Sequence, residues 1–321
     1  MQAIEYAQYG AAEVLRLNEV SKPCPKSNEV LIRVHATTVT AADIMMRTGT
    51  PYIGRLYTGI KGPKRTILGF EFAGEVVEVG KDVSLFNVGD KVFGGTTTLG
   101  CYAEHACVSE HDVLTTMPDN ISYAEAAPVN GSAITVMNFL KGLGKIQKGQ
   151  KVLIYGASGG LGTYAIQIAK HFGAEVTGVC STNNVALVKP LGTDRVTDYT
   201  KEDFTKNGEQ FDLIFDTVGK SSYSACKNSL TEKGMYLSAV LDFTLFRQMI
   251  WTSMFGSKKA KSSATGLLPV KERLNCFMEL KELLKTAKIK TVIDSSSESG
   301  DILEKYCANL WCMVGFYLGQ M

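Results

Sequence analysis

Residues 151–173, KVLIYGASGGLGTYAIQIAKHFG, constrain this chain more than any other stretch. Val152-Leu153-Ile154-Tyr155 is an apolar run with the length and composition of a buried strand. Glycines follow at Gly156, Gly159, Gly160 and Gly162. Leu161, Ala165, Ile166, Ile168, Ala169 and Phe172 then recur at helical spacing, and Gly173 stands where a helix is expected to stop. Ala157-x-Gly159-x-x-Gly162 fits the dinucleotide fingerprint with alanine in the first place. Backbone N–H groups can approach a pyrophosphate at a helix N-terminus only where no Cβ intervenes, which is why glycine recurs there. The competing reading is a glycine-rich turn that binds nothing. The correctly ordered strand and helix favour the first.

After this unit, strands alternate with helices: 175–180, 195–197, 211–216 and 234–240 read as strands, which argues a parallel sheet wrapped by helices. Residues 241–255 read as an amphipathic insertion, 258–266 as an edge strand, 270–286 as a helix, and 291–293 as a return to the first domain. Residues 1–123 differ. Val30-Leu31-Ile32-Arg33-Val34, 74–80 and Lys91-Val92-Phe93-Gly94 are short β-branched runs between Gly, Pro and Asn-Glu turns. One helix is predicted over 41–47, stopped by Gly49-Thr50-Pro51. The change of pattern falls near Ser122, which forms a predicted capping box with Glu125, and a helix is predicted over 132–140.

A length of 321 residues suits two domains. With 21% charged residues and a net charge of +2, the whole-chain balance makes no case for nucleic acid or an anionic membrane. Eight cysteines without a Cys-x-x-Cys suit reduced thiols in the cytosol. MQAIEYAQYG has neither the basic start nor the apolar core of a secretory signal, and 307–318 is too short to span a bilayer. A soluble, cytoplasmic protein is expected.

A β-rich region ahead of a late fingerprint resembles the layout of medium-chain dehydrogenases/reductases. DIMMRTG (43–49), ILGFEFAGEVVEVG (67–80), VGDKVFG (88–94), the fingerprint with Gln167, Cys180-Ser181-Thr182-Asn183, Asp198-Tyr199 and Asp216-Thr217-Val218-Gly219 are similar to the zinc-free quinone oxidoreductase, zeta-crystallin-like branch. The likeness covers residues 1 to about 294. It implies an α/β fold: a Rossmann doubly wound parallel sheet plus a GroES-like β-rich catalytic domain, with NADPH in the cleft between them. The implied domains are the catalytic domain over 1–123, the NADP-binding domain over 124–287 and a C-terminal return over 288–321. Ser158, Gly159, Gly160, Leu161 and Gly162 would hold the pyrophosphate. Cys180, Ser181, Asn183 and Tyr199 would lie toward the adenosine 2′-phosphate, and Val218 and Gly219 toward the nicotinamide. Thr40, Asp43, Arg47 and Tyr52 fall in the region that lines the substrate end, with Tyr52 the candidate hydrogen-bond donor, Thr40 the second catalytic candidate and Asp43 a helix cap. The resemblance also implies a homodimer through 258–266.

Zinc-dependent relatives carry metal ligands at positions that align with Thr40, Phe70 and Gly131, none of them a good ligand. Residues 90–109 hold only Cys101 and Cys107, and His35, His105, His111 and His171 fit no metal spacing. No metal is expected. Without a Lewis acid, alcohol oxidation lacks the group that stabilises an alkoxide. Hydride delivery to a quinone or an α,β-unsaturated carbonyl remains. The alternatives are a zinc-type alcohol dehydrogenase with unrecognised ligands and a cofactor-binding protein with little turnover. Where NAD-dependent domains place Asp or Glu, this chain has Cys180 followed by neutral Ser181-Thr182-Asn183-Asn184, so NADPH is expected over NADH. Tyr223-x-x-x-Lys227 is similar to the short-chain dehydrogenase pair but lies in the wrong context. After Asp294 the family's closing Gly-His and Gly-Asn-Val-Val-like motifs are missing.

Overall fold

A computed structural model describes residues 1–293 and 316–317. The chain divides into two compact units. One comprises Met1–Gly131, Pro269–Lys285 and the described residues from Thr291 onward; the other comprises Ser132–Leu268 with Thr286–Lys290.

In the first unit β1 (Gln2–Tyr6) pairs antiparallel with β2 (Leu15–Glu19). β3 (Glu29–Thr37) is followed by helices α1 (Ala41–Thr48) and α2 (Arg55–Thr58). Next come β4 (Glu71–Val79), β5 (Lys91–Gly95), β6 (His105–Ser109), β7 (Val113–Thr116) and helix α3 (Tyr123–Ala126). The antiparallel sheet runs β3-β4-β5-β7, with β6 also on β3. Val30, Ile32 and Val34 alternate along β3 and enter one core with Phe72, Val76 and Val92, the period of two that one buried face requires. The expected capping box forms: Ser122 Oγ accepts from Glu125 N (3.3 Å) while Ser122 N donates to Glu125 Oε2 (2.8 Å).

The second unit opens with α4 (Ser132–Met137), which continues as a π-helical turn, Asn138–Leu143. Then follow β8 (Lys151–Tyr155), α5 (Gly160–His171), β9 (Glu175–Cys180), α6 (Val185–Val188), β10 (Arg195–Asp198) and β11 (Phe211–Asp216). It closes with α7 (Tyr223–Cys226), β12 (Leu230–Ser238), α8 (Phe243–Phe255) and β13 (Lys259–Lys261). The sheet is parallel in the order β10-β9-β8-β11-β12-β13. The first strand therefore sits centrally and the chain order reverses between β8 and β11. Ligand crevices in such sheets open outside the strand carboxyl ends at that reversal. The edge strand is shorter than the 258–266 expected: after Lys261 the chain leaves the sheet and Thr265–Leu267 forms a 3-10 turn.

Helix α9 (Val270–Lys285) packs in the first unit, where Phe277 meets Phe93 at 4.6 Å between ring centroids and Asn120 Nδ2 donates to Leu284 O (3.1 Å). β14 (Phe316–Tyr317) pairs antiparallel with β3 at Thr37 and Ala36. The remaining residues of the expected C-terminal return lie outside the described residues. Among the described residues no helix is long and apolar enough to cross a membrane.

Candidate functional site

The glycine turn is built backbone against backbone. Gly156 has φ of +80°, and a Cβ there would lie 2.6 Å from Thr217 Oγ1 and 2.8 Å from a Val218 methyl carbon. This is the one residue of the turn in the left-handed region, so the conformational demand falls one position before the alanine that opens the fingerprint. A Cβ on Gly162 would overlap the Gly156 carbonyl oxygen and approach Ala157 C to 2.7 Å. Gly159 is the N-cap of α5, and Thr163 N donates back to Gly159 O (2.9 Å). The N–H groups of Gly160, Leu161 and Gly162 thus belong to the helix's first turn, where no intrahelical acceptor exists and the dipole favours an anion. A Cβ on Gly156 or Gly162 would strike the turn's own neighbours, so these two glycines fix the shape of the cradle those N–H groups form.

Cys180 ends β9, buried, and Ser181 leads into a 3-10 turn, Thr182–Asn184. Asn184 Nδ2 donates to Ser158 Oγ (3.0 Å) and Ser181 Oγ (3.3 Å), tying the glycine turn to the end of β9. Asn183 and Tyr199 are exposed, and the Tyr199 ring lies 6.4 Å from that of Tyr155. The rim is not neutral throughout. Asp198 stands beside Cys180 in the parallel register and accepts from Thr182 Oγ1, Thr200 N (3.0 Å) and Thr200 Oγ1 (2.7 Å), with Lys201 Nζ at 3.4 Å. The Thr182 and Thr200 hydroxyls hold its carboxyl far below the ordinary range. A search along β9 alone passes over it.

At the end of β11 the buried Asp216 organises the next loop. Its Oδ1 accepts from Val218 N (3.0 Å) and Gly219 N (2.8 Å). Its Oδ2 accepts from Ser221 N (2.8 Å), Ser221 Oγ (2.9 Å) and Tyr236 OH (3.1 Å). Thr217 Oγ1 donates to Tyr155 O (2.8 Å), so this loop and the glycine turn are fastened to each other. Asn184, Asp198, Asp216 and Thr217 therefore join the residues expected at this end of the sheet.

In the first unit Thr40 is the N-cap of α1 and Asp43 its reciprocal partner. Thr40 N (2.9 Å) and Oγ1 (2.6 Å) donate to Asp43 Oδ2, and Asp43 N donates to Thr40 Oγ1 (3.4 Å). The cap is thus Thr40, with Asp43 inside the helix closing the box. Burial pushes the Asp43 carboxyl up to about 6 against the Thr40 hydrogen bonds. Glu71, also buried, accepts from Thr38 Oγ1 (2.9 Å). Burial pushes it up to about 8; the Thr38 hydrogen bond and the Arg273 charge oppose this, and the Asp43 charge adds to it. A Cβ on Gly131 would overlap Glu71 Oε1, so the carboxyl fills the space in which a side chain at 131 would stand. Among the described residues no group of three His, Cys, Asp or Glu stands together as metal ligands. Tyr52 is 72% exposed, with the Arg55 guanidinium 4.7 Å from its ring centroid. Tyr223 and Lys227 do not form a pair: Tyr223 OH donates to Lys258 O (3.4 Å), and Lys227 follows the end of α7.

Two family models match the chain: the alcohol dehydrogenase GroES-like domain over residues 26–119 and zinc-binding dehydrogenase over residues 160–244. The chain is 32% identical over 309 residues to a chloroplastic quinone-oxidoreductase homolog of Spinacia oleracea, covering 92% of this chain and 90% of that protein. It is 33% identical over 334 residues to the mitochondrial NAD(P)H oxidoreductase RTN4IP1 of Mus musculus, covering 93% and 83%. Among solved structures, the quinone oxidoreductase from Coxiella burnetii superposes with a TM-score of 0.85 at 27% identity, over 99% of each chain.

Proposed function

Because the chain belongs to the medium-chain dehydrogenase/reductase superfamily, in its zinc-free quinone oxidoreductase branch, we propose that it is an NAD(P)H-dependent oxidoreductase that uses NADPH to reduce quinones or activated C=C bonds, enones and enals, without a metal. The observation that carries this reading is the tight glycine turn, in which a Cβ on Gly156 or Gly162 would strike its neighbours, leading into the N-terminus of α5 where the cradle's N–H groups stand. Ser158 and the N–H groups of Gly160, Leu161 and Gly162 would hold the pyrophosphate, Ser181, Asn183 and Tyr199 the adenosine side, and the Val218-Gly219 loop clamped by Asp216 the nicotinamide side. When bound, the cofactor supplies the hydride.

The chain's own residues then orient the acceptor and stabilise the oxygen that gains charge. Thr40 Oγ1 donates to Asp43, so Tyr52 is the better hydroxyl donor for that oxygen. Two opposed features bear on cofactor choice. Cys180 removes the carboxylate that would repel a 2′-phosphate, by about 3 kcal/mol at roughly 5 Å and an effective dielectric near 20. Asp198, one strand over and ionised, restores part of that repulsion, and Lys201 offsets it. A moderate preference for NADPH follows.

The test is cofactor oxidation over quinones, enones, aldehydes and, with NADP, saturated alcohols, alongside dissociation constants for NADPH and NADH. NADPH-dependent reduction of quinones or enones is expected. Robust alcohol oxidation would favour the zinc-type reading, and tight cofactor binding with no acceptor turned over would favour a binding protein. NADH bound equally or better would overturn the account of the adenosine pocket, as would an unmoved ratio in Cys180→Asp. A homodimer through β13 is part of the proposal and is checked by sedimentation. Cytoplasmic location is too; the relatives named above are chloroplastic and mitochondrial, and fractionation decides.

A further inference from the structure

One stretch of the first unit joins exposed apolar side chains to cations that nothing answers. The 3-10 turn Tyr52–Gly54 runs directly into α2, so Tyr52 and Leu56 stand about one helical turn apart on one face. Tyr52 is 72% exposed and Leu56 68%, and Ile60, just past the helix, is 69% exposed. Gly59 turns the chain there with φ of +129°, and the loop doubles back tightly. Lys64 N donates to Thr58 O (2.8 Å), Tyr9 OH donates to Gly59 O (2.6 Å), and a Cβ on Gly59 would overlap the Gly62 carbonyl oxygen. Ile60, Lys61 and Lys64 are thereby gathered at the C-terminal end of α2, and Arg65 follows at once.

Charge narrows the occupant. From residue 44 to 70 the chain holds Arg47, Arg55, Lys61, Lys64 and Arg65 and no carboxylate. Arg47 is buried. The Arg55 guanidinium lies over the rings of Tyr9 and Tyr52, 4.4 and 4.7 Å from their centroids, and its Nε donates to Gly49 O (3.0 Å). Lys61, Lys64 and Arg65 are exposed, and among the described residues their side chains have no ion pair or hydrogen bond. Glu5, whose strand meets this segment at the Glu5–Ile67 bridge, is already engaged: it accepts from Asn18 Nδ2 (3.0 Å) and Thr66 Oγ1 (2.9 Å). The order along the strip is a hydroxyl donor, two aliphatic side chains, then three cations. A second copy on this face would bring like charges together, whereas an apolar chain that ends in an anion matches both parts.

We propose that this strip selects the electron acceptor: a quinone or enone whose apolar tail lies on Leu56 and Ile60 and ends in an anionic group at Lys61, Lys64 and Arg65. The inference rests on the reading that the Tyr52 hydroxyl meets the acceptor oxygen.

Duroquinone, decylubiquinone and a counterpart of decylubiquinone whose tail ends in a carboxylate separate the two features. Dissociation constants by calorimetry read them without turnover. The tail should tighten binding by at least about tenfold, and the carboxylate by about a further fivefold that fades as salt rises. Leu56→Ser with Ile60→Ser should remove most of the tail's gain, measured against duroquinone. Lys61→Gln, Lys64→Gln and Arg65→Gln together should remove the carboxylate's share and keep the tail's. All five side chains are exposed, so thermal melts should match the wild type. Equal constants for duroquinone and decylubiquinone, no gain from the carboxylate, or variants that keep the wild-type order would overturn the proposal. So would a dimer, or binding to anionic vesicles, that the Leu56→Ser, Ile60→Ser variant abolishes while the tail gives no gain. NADPH oxidation is followed alongside. Turnover without tail dependence sinks the strip and leaves the reductase reading standing; tail-dependent binding without turnover of any quinone does the reverse.

Discussion

Replacing Glu71 by Gln should flatten the pH dependence of folding. In the native protein burial raises the Glu71 carboxyl from its ordinary 4.5 to about 8. Between those values the folded state keeps a proton that the unfolded chain has released, so stability falls as pH rises and levels off above the folded value. Each unit of separation corresponds to about 1.4 kcal/mol, so the whole interval amounts to ~4–5 kcal/mol, a large part of a typical stability of about 5–15 kcal/mol. Gln is neutral throughout and has the same shape. Its amide oxygen can face Gly131, and its NH₂ can donate to the Thr38 hydroxyl, which now faces Oε2. Urea unfolding from about pH 5 to about pH 9 should show near-equal stability at the acid end and several kcal/mol in favour of Glu71→Gln at the alkaline end. Asp43, raised to about 6, titrates in the same sense in both proteins and cancels in the difference. Parallel curves would refute the argument, because they would mean that Glu71 is ionised in the fold and sustained by Arg273.

Gly162→Ala drives a Cβ into the Gly156 carbonyl, a backbone group that cannot swing aside; ~2 kcal/mol of overpacking should weaken NADPH binding about thirtyfold by calorimetry, and an unchanged constant would discount the cradle. Asp216→Ala leaves three backbone N–H groups and two hydroxyls without their shared acceptor, so unfolding should show a loss of ~4 kcal/mol, and a loss below about 1 kcal/mol would contradict this account of the loop. Tyr52→Phe should lower kcat modestly, by about tenfold or less, with stability unchanged; unaltered kinetics would assign the ring to packing on Arg55. Elemental analysis should find no stoichiometric zinc and chelators should leave turnover intact, whereas about one zinc per chain would reverse the metal-free proposal.

Much of the fold was legible where the signal is local. The glycine turn, β8 and α5 stand where the apolar run and the helical spacing put them, and the box at Ser122 and Glu125 forms as three-residue spacing predicts. The omissions are long-range. Asp198 neighbours Cys180 through strand register, which no count along β9 contains. Asp216 opens the Asp216-Thr217-Val218-Gly219 motif, yet its own role is not in the motif: only the folded loop brings five donors onto it. The helical period over 270–286 was visible, whereas its packing on Phe93 through Phe277 depends on residues nearly two hundred positions away. The edge strand ended early because only one neighbour, β12, holds it in the sheet. The missing closing motifs after Asp294 lie outside the described residues, apart from the backbone of Phe316–Tyr317.

Gly131 and Glu71 also bear on which substitutions this site can accept. A cysteine or histidine at 131, the change that would place a ligating side chain there, collides with the Glu71 carboxyl. Shortening residue 71 first strips the buried Thr38 hydroxyl of its acceptor, at a cost of about 1–3 kcal/mol. Whichever substitution comes first, the single variant is impaired until the second change repairs it. The pair works as a latch: a ligating side chain at position 131 needs two coordinated mutations.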